Sequence, residues 1–401
     1  MHSQYFVLNK NNGDQQQKSK GRIAKLLVGS LVVVGTVAAT LLILNQNEQA
    51  RNPAFNINFL QESGNHETQQ AFIQFVAEYG KTYATKNHLN SRFDIFAKNF
   101  EMIKSHNENE EKHYEMGINK FSDMTHEEFL EHYHKQGVLI PSEEKRLEAH
   151  HANRHPSLQA MASDDNQAAP EKVDWREAGK VSVPGDQSSC GSCWAFTTAT
   201  TLESLHAIKN DTKPERFSVQ YLIDCDEGNF GCGGGWMLDA YEFTKTKGLL
   251  KEEDYPRKYT MSKNSCVDVK DKQRFYNHDQ KEEDNIDNDR LRKLVSIRPV
   301  GVAMHSNPRC LMSYKNGILR EEDCKCSDEK NQVNHAVTIV GYGKVDNSKD
   351  CVGYWLVKNS WGPRWGDQGF FKLCVPPTDR DNQLKTGTCQ VKSYVQYPIL
   401  H

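Results

Sequence analysis

Apolar and polar positions alternate along this chain with a period that changes from segment to segment. From Leu26 to Leu44 every residue is apolar or small and none is charged; Lys18, Lys20, Arg22 and Lys25 precede the run and Asn45, Gln46, Asn47 and Glu48 follow it. A helix needs about 20 apolar residues to cross a hydrocarbon core, and flanking cations stay on the cytosolic side. The run predicts an uncleaved signal anchor with a cytosolic tail (1–25) and type II topology. A cleaved signal peptide would have a shorter apolar run of about 7–15 residues, nearer the first Met.

Beyond an Asn/Gln-rich stalk at 45–65, the pattern becomes helical from Gln70, where Phe72, Phe75, Val76 and Tyr79 recur at spacings of three and four. Arg92, Phe96, Asn99, Ile103 and Asn107 follow one another at steps of four, three, four and four, which puts all five on one helix face. Residues 141–168 are polar, charged and without period, as a linker would be. Its His150, His151 and His155 lack Cys or acidic companions at ligand spacing, so no metal site is expected. Further on, Trp194–Leu205 predicts a helix with an apolar face, and Val333–Val340, Tyr354–Lys358 and Phe370–Leu373 predict strands.

The chain has 401 residues and a net charge of −3, so it holds two or three folding units and gives no sign of a nucleic-acid partner. All eleven cysteines lie between Cys190 and Cys389. That asymmetry marks a domain boundary, and the odd count fits five bridges plus one reactive thiol in an oxidising compartment. The competing reading is a reduced cytosolic protein with inert buried thiols. It conflicts with the secretory entry that the apolar run implies.

Candidate chemistry centres on Gln187-Ser188-Ser189-Cys190-Gly191-Ser192-Cys193-Trp194-Ala195-Phe196, which places Cys193 at the mouth of the helix. His335 in Val333-Asn334-His335-Ala336-Val337 and Asn359 in Lys358-Asn359-Ser360-Trp361-Gly362 follow. A thiol, an imidazole and a carboxamide are the parts of an acyl-transfer site. A thiol attacks only as thiolate; a helix N-terminus and a neighbouring imidazolium both favour that anion.

With these flanks the chain resembles the papain family of cysteine proteases, from about Phe72 to Pro398, and its anchored architecture resembles the parasite cathepsin L-like members. The five-residue helix face is similar to the family's pro-segment motif, except that His88 stands for a Glu. The Arg92 partner is therefore absent or rebuilt, with Asp94 as a candidate. Gly117-Ile118-Asn119-Lys120-Phe121-Ser122-Asp123 matches the second pro-segment motif.

The resemblance implies an α+β, papain-like two-domain fold: a helical domain and a β-barrel-like domain, with an N-terminal helical inhibitory pro-domain (66–140), the linker (141–168) and a mature peptidase domain (169–401). It implies Cys193 as nucleophile, His335 as its base, Asn359 as orienter and Trp361 as a shield. Gln187 and the Cys193 N–H would hold the oxyanion. Ser188 stands where relatives carry Gly. Gly234 and Gly235 would pair with substrate main chain. Met237, Ala303, Val333, Ala336 and Tyr394 would line the pocket for the second residue before the scissile bond. There Tyr394 would shorten the pocket and offer no partner to a cation.

The family pattern also implies bridges Cys190–Cys232, Cys225–Cys266 and Cys324–Cys389. The pairing of Cys310, Cys326, Cys351 and Cys374 stays open. Cys351–Cys374 follows if the flanking strands run antiparallel, and then Cys310–Cys326 is what remains.

No long insertion separates Cys232 from Cys266, which favours an endopeptidase over an exopeptidase with a lid. No metal or organic cofactor is implied. Expected partners are peptide and protein substrates, the chain's own pro-domain as inhibitor, cystatin-like inhibitors and, through 26–44, a membrane; a monomer is expected. The expected location is the secretory or endolysosomal route, with the catalytic part lumenal or extracellular. Asn210-Asp211-Thr212 is a glycosylation sequon, with Asn210 the acceptor. Rival readings are a non-catalytic scaffold that keeps the groove for binding, and an aminopeptidase.

Overall fold

A computed structural model describes residues 65–133, 137–146, 168–326, 332–346, 348–377 and 385–400. The candidate anchor 26–44, the stalk 45–64 and linker histidines His150, His151 and His155 lie outside them. No helix among the described residues is long and apolar enough to cross a membrane.

Residues 65–71 and 82–89 belong to one compact unit, and 72–81 with 90–400 to another. In the first, the Asn65 side chain caps Glu67 N–H at 3.0 Å and Thr85 caps His88 N–H at 3.1 Å. The His88 ring meets the edge of Tyr83, with centroids 5.4 Å apart.

The predicted pro-segment helices are α1 (His66–Tyr79) and α2 (Lys86–Glu108), followed by the short α3 (His126–Tyr133). In the second unit Phe72, Phe75, Phe93 and Phe96 are buried and pack ring against ring at 5.1–6.1 Å. The polar members of the motif tie α2 to the segment after it. Asn99 Nδ2 donates to the carbonyls of Ser122 and Met124, both at 2.9 Å, and Asn107 exchanges bonds with the Met116 backbone. Arg92 forks onto Glu128 at 2.7 and 2.8 Å and also donates to the Asp123 carbonyl. Asp94 is not its partner, because a residue two positions along a helix faces away.

The strands are β1 (Tyr114–Met116), β2 (Val173–Asp174), β3 (Asp279–Asp284), β4 (Val300–Met304), β5 (Tyr314–Gly317), β6 (His335–Lys344), β7 (Gly353–Lys358), β8 (Phe370–Val375) and β9 (Tyr394–Ile399). All but β1 and β5 form one antiparallel sheet, ordered β3-β9-β4-β6-β7-β8 with β2 on β6. β1 pairs separately with β5. One apolar core surrounds the sheet, including Val302, Ile339, Trp355, Leu373 and Val395.

A second core surrounds α4 (Cys193–Lys209), with α5 (Val219–Cys225) and α6 (Met237–Lys247) around it; α7 (Asn288–Ile297) belongs to the sheet side. Every residue of α4 from Cys193 to Leu205 is buried. Its threonines are tolerated there because their hydroxyls bond back to the preceding turn, Thr198 to Trp194 O at 2.8 Å and Thr201 to Thr197 O at 3.1 Å.

Five disulfides join Cys190 to Cys232, Cys225 to Cys266, Cys351 to Cys374, Cys310 to Cys324 and Cys326 to Cys389. The register of β7 on β8 pairs Tyr354 with Cys374 and Gly353 with Val375, which brings Cys351 to the same end. The expected Cys324–Cys389 and Cys310–Cys326 are corrected: these four cysteines exchange partners. Cys324 ends a helical turn (Glu321–Cys324), and Lys325 after it takes a left-handed conformation with φ 48°. The chain thus turns sharply between Cys324 and Cys326, sending one towards Cys310 and the other towards Cys389. The sulfurs of Cys324, Cys326 and Cys389 lie within 4.8 Å of one another, so sequence separation cannot discriminate the pairings. All three are consumed in disulfides, which leaves no thiolate ligand for a metal.

Trypsin tests this pairing directly, since it cuts after Lys325. A non-reducing digest should yield Cys310–Lys315 linked to Glu321–Lys325, and Cys326–Lys330 linked to Thr386–Lys392. Mass spectrometry that found Glu321–Lys325 joined to Thr386–Lys392 would refute it.

Candidate active site

Cys193 is the first residue of α4, fully buried, and the free cysteine among the described residues. It stands in the first turn, where the partial positive charge of the backbone N–H groups accumulates, and the Cys193 and Trp194 N–H groups point at its sulfur. The Ala336 N–H donates to Sγ at 3.4 Å, and Sγ donates to the Gly137 carbonyl at 3.3 Å. β6 begins at His335, so the imidazole stands one residue from that contact.

The tautomer of His335 follows from the bonds around it. Asn359 Oδ1 accepts the Ser360 backbone N–H at 2.8 Å, which fixes the oxygen end of the amide. That same oxygen lies 2.8 Å from His335 Nε2, so Nε2 carries a proton and donates it. Nδ1 is the nitrogen left to take a proton from a thiol. Trp361 stacks on the imidazole with centroids 5.1 Å apart.

Gln187 is fully buried and held on three sides. Its Nε2 donates to Cys190 O at 3.2 Å, its Oε1 accepts Ser360 Oγ at 2.6 Å, and its carbonyl accepts the Tyr259 hydroxyl at 2.6 Å. Ser360 and Tyr259 were not singled out from sequence. Ser360 sits inside the Asn-Ser-Trp motif and was legible there; Tyr259 lies 72 residues from Gln187 and carries no local signal. Ser188 adopts φ 50°, the left-handed region that glycine occupies cheaply. The Asp186 carboxylate holds it there by accepting from Ser188 N at 2.9 Å.

Met237, Ala303, Val333, Ala336 and Tyr394 are all buried in one apolar cluster, against which Val138 and Ile140 pack. Gly235 accepts the Leu139 N–H at 3.1 Å, and a Cβ there would meet Asn229 Oδ1 at 2.3 Å. Residues 137–140 therefore occupy the groove where substrate main chain was expected. A cavity of about 740 Å3 lined by Tyr221, Asp226 and Asp239 includes none of these residues. Gly234, with φ 102°, lies next to this contact. Asn210 is exposed at the end of α4.

The Tyr394 expectation is corrected in one respect. The Arg146 guanidinium sits over its ring at 4.6 Å, so this tyrosine does partner a cation. Residues 141–146, read as linker, are held in place as well: Lys145 pairs with Asp239 at 2.8 Å.

Burial sets the electrostatics of this blocked state. It pushes the Cys193 thiol up to about 12, against backbone N–H groups that favour the thiolate. It pushes the His335 imidazole down to about 4, against the Asn359 bond. Both groups are neutral at pH 7.

The chain belongs to the papain family of cysteine proteases, whose family model matches residues 169–399. A cathepsin propeptide inhibitor domain matches residues 72–129. Germination-specific cysteine protease 1 of Arabidopsis thaliana is 34% identical over 83% of this chain and 85% of its own length. A cathepsin L-like proteinase of Phaedon cochleariae is 33% identical over 83% and 94%. Digestive procathepsin L2 proteinase of the Tenebrio molitor larval midgut superposes with TM-score 0.70 and 30% identity, covering 83% of this chain and 100% of that one. The protein is a cathepsin L-like cysteine protease zymogen with a papain-like fold, and its own propeptide is the inhibitor.

The expected type II membrane location is corrected. No helix among the described residues is long and apolar enough to cross a membrane, and the relatives named above are plant and insect proteins named as a cysteine protease and a cathepsin L-like proteinase. The likeness to anchored parasite enzymes rested on 26–44, which lies outside the described residues.

The thiol should be almost inert in the zymogen. Burial holds the thiol in its protonated, poorly nucleophilic form at pH 7. Iodoacetamide should label Cys193 slowly before processing and orders of magnitude faster after it. A Cβ on Gly137 would lie 3.0 Å from Sγ, so Gly137→Ala should raise the zymogen's labelling rate. Equal rates in zymogen and processed enzyme would refute the blockade.

Proposed function

We propose that the processed protein is an endopeptidase in which Cys193 attacks the scissile carbonyl carbon. His335 Nδ1 takes the thiol proton and then passes it to the departing amine as the C–N bond breaks. Water next cleaves the thioester and restores the thiol. The Cys193 N–H and the Gln187 amide face the developing oxyanion, and Asn359 keeps His335 in the tautomer this sequence requires. The observation that carries the reading is the Ser360–Asn359–His335 chain of bonds, which leaves Nδ1 as the basic nitrogen, while the N–H of the next residue, Ala336, lies 3.4 Å from Cys193 Sγ.

Residues 66–140 act as inhibitory pro-domain, 141–168 as the segment cut during activation, and 169–401 as mature peptidase. The apolar pocket of Met237, Ala303, Val333, Ala336 and Tyr394 takes Leu, Val or Phe at the second position before the scissile bond, as Val138 and Ile140 pack on it now. Asn210 is the glycan acceptor.

Acid release follows from the pro-domain's own pairs. Arg92, with the Thr125 N–H, holds the Glu128 carboxyl below the ordinary carboxylate range. A depressed carboxylate stabilises the fold above its ordinary value and loses that contribution as pH falls through the depressed one. Asp123, paired with Lys81 at 2.7 Å, stands beside it.

The test is expression of residues 66–401, acidification, and parallel measurement of size and peptidase activity. Cys193→Ala should fold and show no turnover, His335→Ala should be nearly as severe, and Asn359→Ala milder. Conversion should accelerate as pH falls below the ordinary carboxylate value of about 4.3, where the Glu128 contribution is lost. More than a few per cent residual activity in Cys193→Ala would sink the nucleophile assignment, and conversion independent of pH would sink the acid trigger.

A further inference from the structure

Across the sheet, register builds a continuous row away from Cys193. Ala336, whose N–H touches Sγ, lies opposite Ala303; Ala303 lies opposite Tyr394; Tyr394 lies opposite Asp284. Directly opposed residues share a face of the sheet. The apolar pocket therefore ends in Tyr394 and continues into Asp284. Glu282, two residues along β3, is on the same face and lies opposite Gln396.

Arg146 occupies this end of the row. Its guanidinium covers the Tyr394 ring, its Nε donates to Glu282 Oε1 at 2.7 Å, and it also donates to Asp284. Glu282 is fully buried, and its other oxygen accepts from Trp236 Nε1 at 2.9 Å and Gln396 Nε2 at 2.6 Å. These partners fix the carboxylate so that Oε1 faces the cation. An aromatic face, a buried carboxylate and a half-exposed one around a single guanidinium make a built site. The occupant belongs to a segment that precedes the mature domain.

We propose that in the processed enzyme Glu282, Asp284 and Tyr394 form a cation subsite. It takes an arginine or lysine side chain, at the second position before the scissile bond, in the place that Arg146 holds in the zymogen. This rests on the endopeptidase reading and on removal of residue 146 with the pro-segment. The methylene stem of such a side chain lies along the apolar walls, and the charged head passes Tyr394 to reach the carboxylates. The pocket thus accepts both branched apolar and long cationic residues.

Burial pushes the Glu282 carboxyl up to about 7 even with Arg146 in place. The groups facing it are Arg146 and Asp284 by charge, and Trp236 and Gln396 by hydrogen bond. Only the ionised form attracts the cation, so acceptance of arginine rises with pH as Glu282 ionises.

Two peptides differing only in Arg or Leu at that position test the idea on the processed enzyme. Glu282→Gln and Asp284→Asn should each lower the Arg-to-Leu ratio of kcat/KM by roughly tenfold, as expected for loss of a charged hydrogen-bond partner. The wild-type ratio should climb with pH as Glu282 ionises, and the climb should vanish in Glu282→Gln. Asp284 is on the solvent side, so Asp284→Asn keeps the test open if Glu282→Gln fails to fold. A ratio that stays at the wild-type value in both variants overturns the subsite. Cleavage of the Leu peptide that Cys193→Ala abolishes reports separately on the protease reading.

Discussion

The Trp361 indole is the contact on which both the site and its inhibition depend. On one face it stacks on His335; at its edges it meets Phe121 and Phe129 of the pro-domain at 5.6 and 5.3 Å, and Trp365 at 4.7 Å. Edge-to-face pairs of this kind contribute about 0.5–1.5 kcal/mol each beyond the area they bury. The residue stacked on the His335 ring is thus also the floor on which the inhibitor sits. Lys120, bonded to Asp186 at 2.6 Å, and Asn119, bonded to Met312 O at 2.8 Å, pin the same segment on either side of it.

Inhibition here has two layers. Residues 137–140 fill the groove sterically, with Gly137 present because nothing larger fits between Asn334 O and Sγ. The same burial withdraws charge from both reactive groups, so the blocked site is also chemically quiescent. Removing the segment readmits water, which relaxes both shifts at once. On the proposed activation, one proteolytic event would uncover the groove and activate the nucleophile.

Much of this was legible in the sequence because it is local. The helix face of Arg92, Phe96, Asn99, Ile103 and Asn107 needs only a 3.6-residue period, and Gln187, Cys193, His335 and Asn359 each carry distinctive neighbours. What stayed hidden depends on distant partners. Arg92 finds Glu128, which is 36 residues away, rather than nearby Asp94. The swap among Cys310, Cys324, Cys326 and Cys389 turns on one left-handed residue between two cysteines. Arg146 looked like linker because its meaning lies in Glu282, which is 136 residues on. The apolar run at 26–44 shows the opposite failing: a clear local pattern from which too much was concluded about location.

The pairing of β1 with β5 has a consequence for the enzyme once the pro-domain has gone. β5 bonds to no strand of the main sheet, so loss of Tyr114–Met116 leaves its backbone donors and acceptors without a ladder. Such an edge is a template for another chain to extend. Here it is only four residues long, and its middle is the exposed pair Lys315 and Asn316. A cation on so short an edge disfavours stacking of one molecule on the next, so release of the inhibitor need not come at the expense of colloidal stability.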